Sequence, residues 1–139
     1  GDNIQIIQGY LFLNGKKISR KKINNSYKIN CGNEIINTNL FEETLPSGVT
    51  YLAAYKISGT MINTDEYIVP NNHYFFMGDN RDCSKDSRFL SSVGYVNFNN
   101  FVGKVQVLFF SNDKKKGSIF NILNWNNTIR FKRFFTQVR

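Results

Sequence analysis

The feature that most constrains the fold is a two-residue alternation of apolar and polar side chains, interrupted repeatedly by Gly and Asn. A period of two places apolar side chains on one face of a β-strand, whereas an amphipathic helix requires a period near 3.6. No long amphipathic helix is indicated before residue 118. The sequence therefore predicts a mainly β protein.

Strands are predicted at residues 3–7, 10–14, 34–40, 49–57, 66–69, 73–77 and 101–110. Asn14-Gly15 is typical of a two-residue hairpin turn, and Pro46-Ser47-Gly48 is typical of a β-turn. The polar and basic segment 16–33 is expected to form a loop or a weak hairpin. The segment 101–110 is the clearest strand, because valine recurs along it and valine favours strands.

Length and charge bound the possible architectures and partners. The chain has 139 residues, 41% of them hydrophobic, which suffices for one compact domain or for a core with an inserted lobe. Its net charge of +8 is the sum of +5 in residues 1–28, −4 in residues 29–103 and +7 in residues 104–139. The basic ends would attract lipid headgroups or nucleic acid, although basic runs are also typical of a solvated face.

The two cysteines, Cys31 and Cys83, form no C-x-x-C pair. A zinc site is therefore not expected, and no other metal or cofactor is predicted. The sequence leaves open whether the two form a disulfide. No run approaches the ~18–20 apolar residues of a membrane-spanning helix. Because the chain begins with Gly1 instead of Met and shows no signal peptide, we expect it to be part of something longer.

The densest chemistry lies in Met77–Arg88, M-G-D-N-R-D-C-S-K-D-S-R, which we name the charged loop. Its three Asp, two Arg and one Lys alternate closely, and this pattern favours ion pairs that hold a loop over direct acid–base catalysis. We expect Asp86 and Arg88 to pair. A calcium loop starting at Asp82 is excluded, because Ser87 and Val93 replace the required Gly and Glu.

Two arrangements for serine catalysis can be tested from the sequence. His73, the one histidine, lies where a turn enters a strand, and we expect a structural role for it. Ser58 lies two residues after Lys56, which would act as a base only if burial lowered its pKa from ~10.4 to about 7–8. Nothing in this strand predicts such burial, so we interpret Ser58 as unrelated to catalysis.

The charged loop resembles the last motif of bacterial signal peptidase I, G-D-N-R-D-N-S-x-D-S-R. Nine of the ten specified residues agree, and Cys83 stands where Asn is usual. Further segments resemble this family in the same order along the chain, namely residues 1–2 (G-D), 10–15 (Y-L-F-L-N-G), 45–48 (L-P-S-G), 68–77, 102–105 and 129–135. One departure follows the loop, where F-L-S-S-V-G replaces the usual aromatic-Trp-Gly.

The resemblance implies a mainly β fold with an antiparallel β-sheet core and an inserted β lobe. Residues 1–68 would form mostly the inserted lobe, following the start of the core. Residues 69–139 would form the C-terminal part of the catalytic core and a basic-aromatic tail.

The family that it resembles is a membrane-bound serine endopeptidase with a Ser-Lys dyad. It removes signal peptides from exported preproteins on the outer side of the cytoplasmic membrane. Its nucleophile and its base precede the segment that Gly1-Asp2 matches. Neither is therefore expected in this chain, which alone is predicted to be inactive. The implied partners are preprotein signal peptides and a membrane surface; nucleic acid is not expected.

The resemblance also implies roles for particular residues. Ser84 would hydrogen-bond the missing lysine, and Asp79 would meet the arginine beside that lysine. The residues expected to structure the loop are Gly78, Asp79, Asn80, Arg81, Asp82, Asp86 and Arg88. The membrane-facing candidates in the tail are Trp125, Phe131, Phe134 and Phe135, with ordinary packing against the β core as the alternative.

Two other functional classes compete with this interpretation. The first is a non-catalytic basic β module that binds anionic lipid or nucleic acid through cations and aromatic rings. The aromatic residues of this chain mostly alternate into apolar strands, which argues against that module. The second is another Ser-Lys protease, such as the self-cleaving stress repressors, but these lack the motif of the charged loop.

Overall fold

The computed structural model describes residues 1–58, 61–113, 116–118, 120 and 122–138. Their strands are β1 (Asn3–Ile7), β2 (Tyr10–Leu13), β3 (Lys16–Lys17), β4 (Ser19–Cys31), β5 (Glu34–Thr44), β6 (Thr50–Lys56), β7 (Tyr67–Ile68), β8 (His73–Tyr74), β9 (Val96–Asn97), β10 (Val107–Leu108) and β11 (Thr136–Gln137). Short 3₁₀ helices span Phe98–Asn100, Ile122–Asn124 and Phe131–Arg133, and one α-helical turn, α1, spans Trp125–Thr128. The fold is mainly antiparallel β, as predicted.

The chain divides into two compact units, Gly1–Phe101 and Val102–Arg139. The first unit contains the charged loop and the sheets that hold it. This division after Phe101 does not test the predicted boundary at residue 68 between an inserted lobe and the core, which stays a prediction.

The first sheet has the strand order β3-β2-β1-β7. Its antiparallel hairpin turns at Gln8-Gly9 and places Ile7 opposite Tyr10. Asn14 and Gly15 both have positive φ, +51° and +73°, as a tight two-residue turn requires, so the predicted Asn-Gly turn is confirmed. The apolar faces of these strands bury one core cluster, Ile4, Ile6, Leu11, Ile18, Tyr67 and Val69.

The second sheet has the order β4-β5-β6. The expectation of a loop or a weak hairpin over residues 16–33 was wrong, because Ser19–Cys31 forms one strand, the longest of the described chain, and pairs with β5 outside that segment. Its many polar side chains hide the strand from an alternation argument, but its backbone pairs with β5 from Ser19 to Cys31, with register irregularities between Lys22 and Tyr27. Only residues 38–44 of β5 pair with β6, so the far end of the β4–β5 hairpin is a two-stranded ribbon.

The predicted strand at residues 73–77 is shorter than expected. His73 and Tyr74 pair with β9, after which the backbone bonds to side chains of the charged loop. The Phe76 N–H donates to the Ser87 hydroxyl at 2.9 Å, and the Gly78 N–H donates to the Asp86 carboxylate at 2.8 Å. Loop side chains thus satisfy backbone groups that a neighbouring strand would otherwise satisfy.

The second unit differs most from expectation. The segment 101–110, predicted as the clearest strand, pairs with β11 at Val107 and Leu108, and these are its only paired residues within the part of the chain that the structure describes. Val102 is fully exposed, so its apolar character does not reflect burial in a sheet. The unit also contains an Asp113–Arg130 ion pair at 2.8 Å. None of the helices in the described chain has the length and apolar character needed to cross a membrane.

Candidate functional site

The charged loop begins as an extension of the second sheet. The Ala54 N–H of β6 donates to the Asp79 carbonyl at 2.8 Å, and the Arg81 N–H donates back to the Ala54 carbonyl at 2.9 Å. These bonds make a parallel bridge between Ala54 and Asn80 at the edge of β6. The start of the loop is therefore fixed by backbone pairing, which does not depend on side-chain identity.

Asp82 fixes the loop to the end of β6. Its carboxylate accepts hydrogen bonds from the backbone N–H of Lys56 at 2.7 Å and of Met61 at 3.4 Å. A carboxylate that accepts backbone N–H groups satisfies donors left unpaired where a strand ends. Asp82 therefore structures the loop through these two hydrogen bonds.

Arg81 turns into the sheet and forms a buried ion pair with Glu43 of β5, with 2.7 Å between Nη2 and Oε2. The Tyr55 hydroxyl joins the two groups, accepting from Arg81 Nη1 and donating to Glu43 Oε1, each at 2.5 Å. Burial by itself disfavours the charged guanidinium, but the neighbouring Tyr55 and Glu43 raise the pKa of Arg81 above its ordinary value. Burial is also the main cause that raises the pKa of Tyr55. The cation therefore stays charged inside the sheet.

The predicted pair of Asp86 and Arg88 is present and buried. Arg88 donates from Nε and Nη2 to the two carboxylate oxygens of Asp86, each at 2.7 Å. Nη2 also donates to the Arg81 carbonyl. Burial works against ionisation of Asp86, but the bonds from Arg88 and from the Gly78 N–H hold the pKa of that carboxyl below its usual value. This pair ties the end of the loop to its beginning.

Ser84 lies inside the turn that these anchors define. Its N–H donates to the Asn80 carbonyl at 2.9 Å, and its side chain packs directly against Gly78. A β-carbon at position 78 would overlap the Ser84 side chain, so a glycine is required there. Ser84 is partly exposed, and its hydroxyl has no hydrogen-bond partner among the described residues. The hydroxyl is thus held in place and available to a further group.

An open cleft of about 740 Å³ adjoins the loop. Met77 and Asp79, the neighbours of Gly78, line it together with Gly1 and Asp2. The rest of its lining is largely apolar and includes Ile4, Leu11, Leu13, Leu45, Val69 and Phe75. The cleft therefore brings the first residues of the chain and the charged loop, far apart in sequence, to one place.

The other sequence candidates do not assemble a catalytic site among the described residues. His73 lines the cleft, and its ring nitrogens contact the Asn71 carbonyl at 2.9 Å and the Asn97 amide at 3.5 Å. Neither contact pairs it with a nucleophile. Ser58 is exposed in a bend after β6. Gly59 and Thr60, which follow it, lie outside the described residues.

The four membrane-facing candidates lie in the second unit. Trp125, Phe131 and Phe135 are exposed, by 40%, 53% and 69%. Phe134 is half-buried and stacks with Phe110, at 5.4 Å between ring centroids. Contact with a membrane and packing against the β core both stay predictions.

A Cys31–Cys83 disulfide joins the last residue of β4 to the charged loop. Sequence reasoning left this pairing open, and it found no partner for Arg81. Both contacts span long separations, 52 residues for the disulfide and 38 for the ion pair. The one signal available was composition, because two cysteines without a metal motif are a possible pair.

Comparison with known proteins identifies the family. The family described as Signal peptidase, peptidase S26, matches residues 1–110. The chain belongs to the signal peptidase family. It is 38% identical to signal peptidase I of Rickettsia prowazekii (strain Madrid E), covering 97% of this chain and 54% of that protein. It is 39% identical to signal peptidase I of Rickettsia bellii (strain OSU 85-389), covering 97% of this chain and 50% of that protein.

The chain spans about half the length of the curated relatives that it matches, and it corresponds to their C-terminal portion. Signal peptidases of this family are serine endopeptidases. The alternative of a basic β module that binds lipid or nucleic acid is not supported by these comparisons. No solved structure matches the chain.

Proposed function

We propose that this chain is the C-terminal portion of a signal peptidase I that cleaves signal peptides from exported preproteins. In the proposed enzyme, a serine nucleophile and a lysine base come from the portion of the protein that corresponds to the other half of the relatives. The charged loop supports that dyad. This chain alone has no peptidase activity.

The observation that carries the proposal is the shared cleft of Gly1, Asp2 and Asp79. A segment that precedes Gly1 would enter the molecule at this cleft, beside the charged loop. Asp79 lines the cleft and would offer its carboxylate to an incoming arginine, and an ion pair at this point would fix the position of the segment.

Ser84 is the residue assigned to the lysine base. A lysine must be neutral to accept a proton, and a hydroxyl can hydrogen-bond a neutral amine without adding a negative charge that would raise its pKa. The Ser84 side chain suits this role because it is held against Gly78 and has no other partner among the described residues. Ser84 is then a positioning residue, acting through the lysine.

The proposed location is the outer side of the cytoplasmic membrane, where the basic-aromatic tail lies against the lipid. The Cys31–Cys83 disulfide supports this side, because disulfides persist in oxidising compartments and are rare in the cytosol. The exposed rings of Trp125, Phe131 and Phe135 support contact with the lipid–water interface, where aromatic side chains are enriched.

The test uses the product of the complete gene and cleavage of a preprotein. Ser84→Ala should lower kcat by about 10- to 100-fold with KM little changed, as loss of a group that orients a catalytic residue does. The acidic limb of the pH profile should move to higher pH, because the lysine loses a partner of its neutral form. Ser91→Ala is the matched control, since Ser91 is exposed after the loop. Unchanged kcat and pH profile in Ser84→Ala would refute the proposed role.

A further inference from the structure

The Cys31–Cys83 disulfide attaches the charged loop to the β4–β5 ribbon at the residue next to Ser84. We propose that this bond is a positioning element of the peptidase: it fixes the turn from Asn80 to Ser84 and so fixes the Ser84 hydroxyl. The proposal deepens the proposed function and rests on it. It assigns to Cys31 and Cys83 a role beyond general stability.

The backbone places the two cysteines close enough to be bridged. The two Cα atoms are 5.5 Å apart, inside the usual range for disulfides. Cys31 ends β4 and pairs with Glu34 across a turn that contains Gly32 at φ +61°. The link therefore joins the tip of a hairpin to a distant loop, which closes a long stretch of chain.

The other anchors of the loop leave one gap, and Cys83 lies in it. Arg81 is tied to β5, and Asp82 is tied to the end of β6. Asp86 is tied to Arg88. Between them, the backbone of Cys83 and Ser84 is held by two N–H groups that donate to one carbonyl, that of Asn80, at 3.0 and 2.9 Å. Within the described chain, the disulfide connects Cys83 to another element, the end of β4.

The ribbon gains support from the same bond. Beyond Thr38, the described residues add no third strand to β4 and β5, because β6 ends at Lys56 opposite Thr38. A two-stranded hairpin is only marginally stable on its own, so its tip would otherwise move independently of the loop. The signal peptidase I motif specifies Asn at position 83, an amide that can form several hydrogen bonds. In this chain, position 83 forms a covalent bond instead.

The first experiment measures the turn directly in this chain. Thiol trapping under denaturing conditions should find no free thiol before reduction and two after it. Amide hydrogen exchange at Cys83 and Ser84 should accelerate at least tenfold in Cys31→Ser or after reduction with dithiothreitol. Exchange at Ile6, in the core of the first sheet, should not change. Unchanged exchange at Cys83 and Ser84 would overturn the proposal, and this readout does not require activity.

The second experiment separates positioning from general stability in the complete gene product. Cys31→Ser should lower kcat about tenfold, leave KM unchanged and shift the acidic limb of the pH profile in the same direction as Ser84→Ala. Dithiothreitol should reproduce this loss in the wild type and add nothing in Cys31→Ser. The double variant Cys31→Ser, Cys83→Asn should be more active than Cys31→Ser alone, because the Asn amide can hydrogen-bond the loop in the absence of the disulfide.

A double-variant comparison decides whether the bond acts through Ser84. In a Ser84→Ala background, Cys31→Ser should cause no further loss of kcat, because residues that act in one chain of contacts are not additive. An equal loss in both backgrounds would overturn the proposal. If Ser84→Ala alone leaves kcat unchanged, the proposed function of Ser84 fails, whereas the exchange measurement still shows whether the bond holds the turn.

Discussion

Replacement of Glu43 by Gln tests whether the buried ion pair holds the charged loop to the sheet. Glu43 is 1% exposed and Arg81 is 4% exposed, so the remaining guanidinium would stay in the interior without an anionic partner. Gln keeps the size of Glu and can still accept one hydrogen bond. The change therefore removes the charge and leaves the packing nearly intact.

The expected cost is about 3–5 kcal/mol of unfolding free energy, the range measured when one partner of a buried pair is removed. Domains of this size have a total stability of roughly 5–15 kcal/mol, so the loss would be a large fraction of it. The midpoint of thermal unfolding should fall by roughly 9–15 °C, at about 3 °C per kcal/mol for a chain of this length.

Equilibrium urea unfolding followed by far-ultraviolet circular dichroism measures this cost. Glu42→Gln is the matched control, because Glu42 is the adjacent residue of β5 and is not fully buried. A surface substitution of this kind should change stability by less than about 0.5 kcal/mol. If the two variants differ by less than about 1 kcal/mol, the pair contributes little and another contact holds the loop.

Three further predictions concern Gly78, Asp86 and the second unit. Gly78→Ala should destabilise by about 1–3 kcal/mol because its β-carbon overlaps Ser84, whereas Gly103→Ala meets no atom within 4 Å and should be near neutral by urea unfolding. The pKa of Asp86 is lowered in the folded state, so its ionised form contributes fully to stability above about pH 4, and this contribution is lost as the pH falls through the folded pKa. When unfolding is measured across pH, the stabilities of wild type and Asp86→Asn should converge below the folded pKa. Convergence at higher pH would contradict the lowered pKa. Arg130→Ala should cost less than about 1 kcal/mol, because its pair with Asp113 is 45% exposed on the arginine side; a larger loss would mean that Arg130 packs as well as pairs.

Sequence reasoning predicted those features that depend on local chemistry. The Asn14-Gly15 turn follows from the freedom of these residues to adopt positive φ, and the Asp86–Arg88 pair joins groups two residues apart. The β4 strand was missed because its outward side chains are polar, and strand formation there depends on pairing with β5. The segment 101–110 was overestimated for the converse reason, since valine-rich segments need a partner strand and only Val107 and Leu108 have one in the described chain.

The charged loop also shows why its own sequence did not reveal how it is held. Each strand of the second sheet fixes a different point of the loop: β6 through Ala54, β5 through Glu43, and β4 through Cys31. None of these three residues lies in a sequence motif that marks it as functional. The sheet nevertheless determines where Ser84 lies, because the loop has ties to all three strands. A substitution in this sheet should therefore change how Ser84 is positioned toward the proposed dyad, and the effect should depend on which of the three contacts is lost. Loss of either tie should lower stability, but loss of the Cys31 tie should also lower kcat through the position of Ser84.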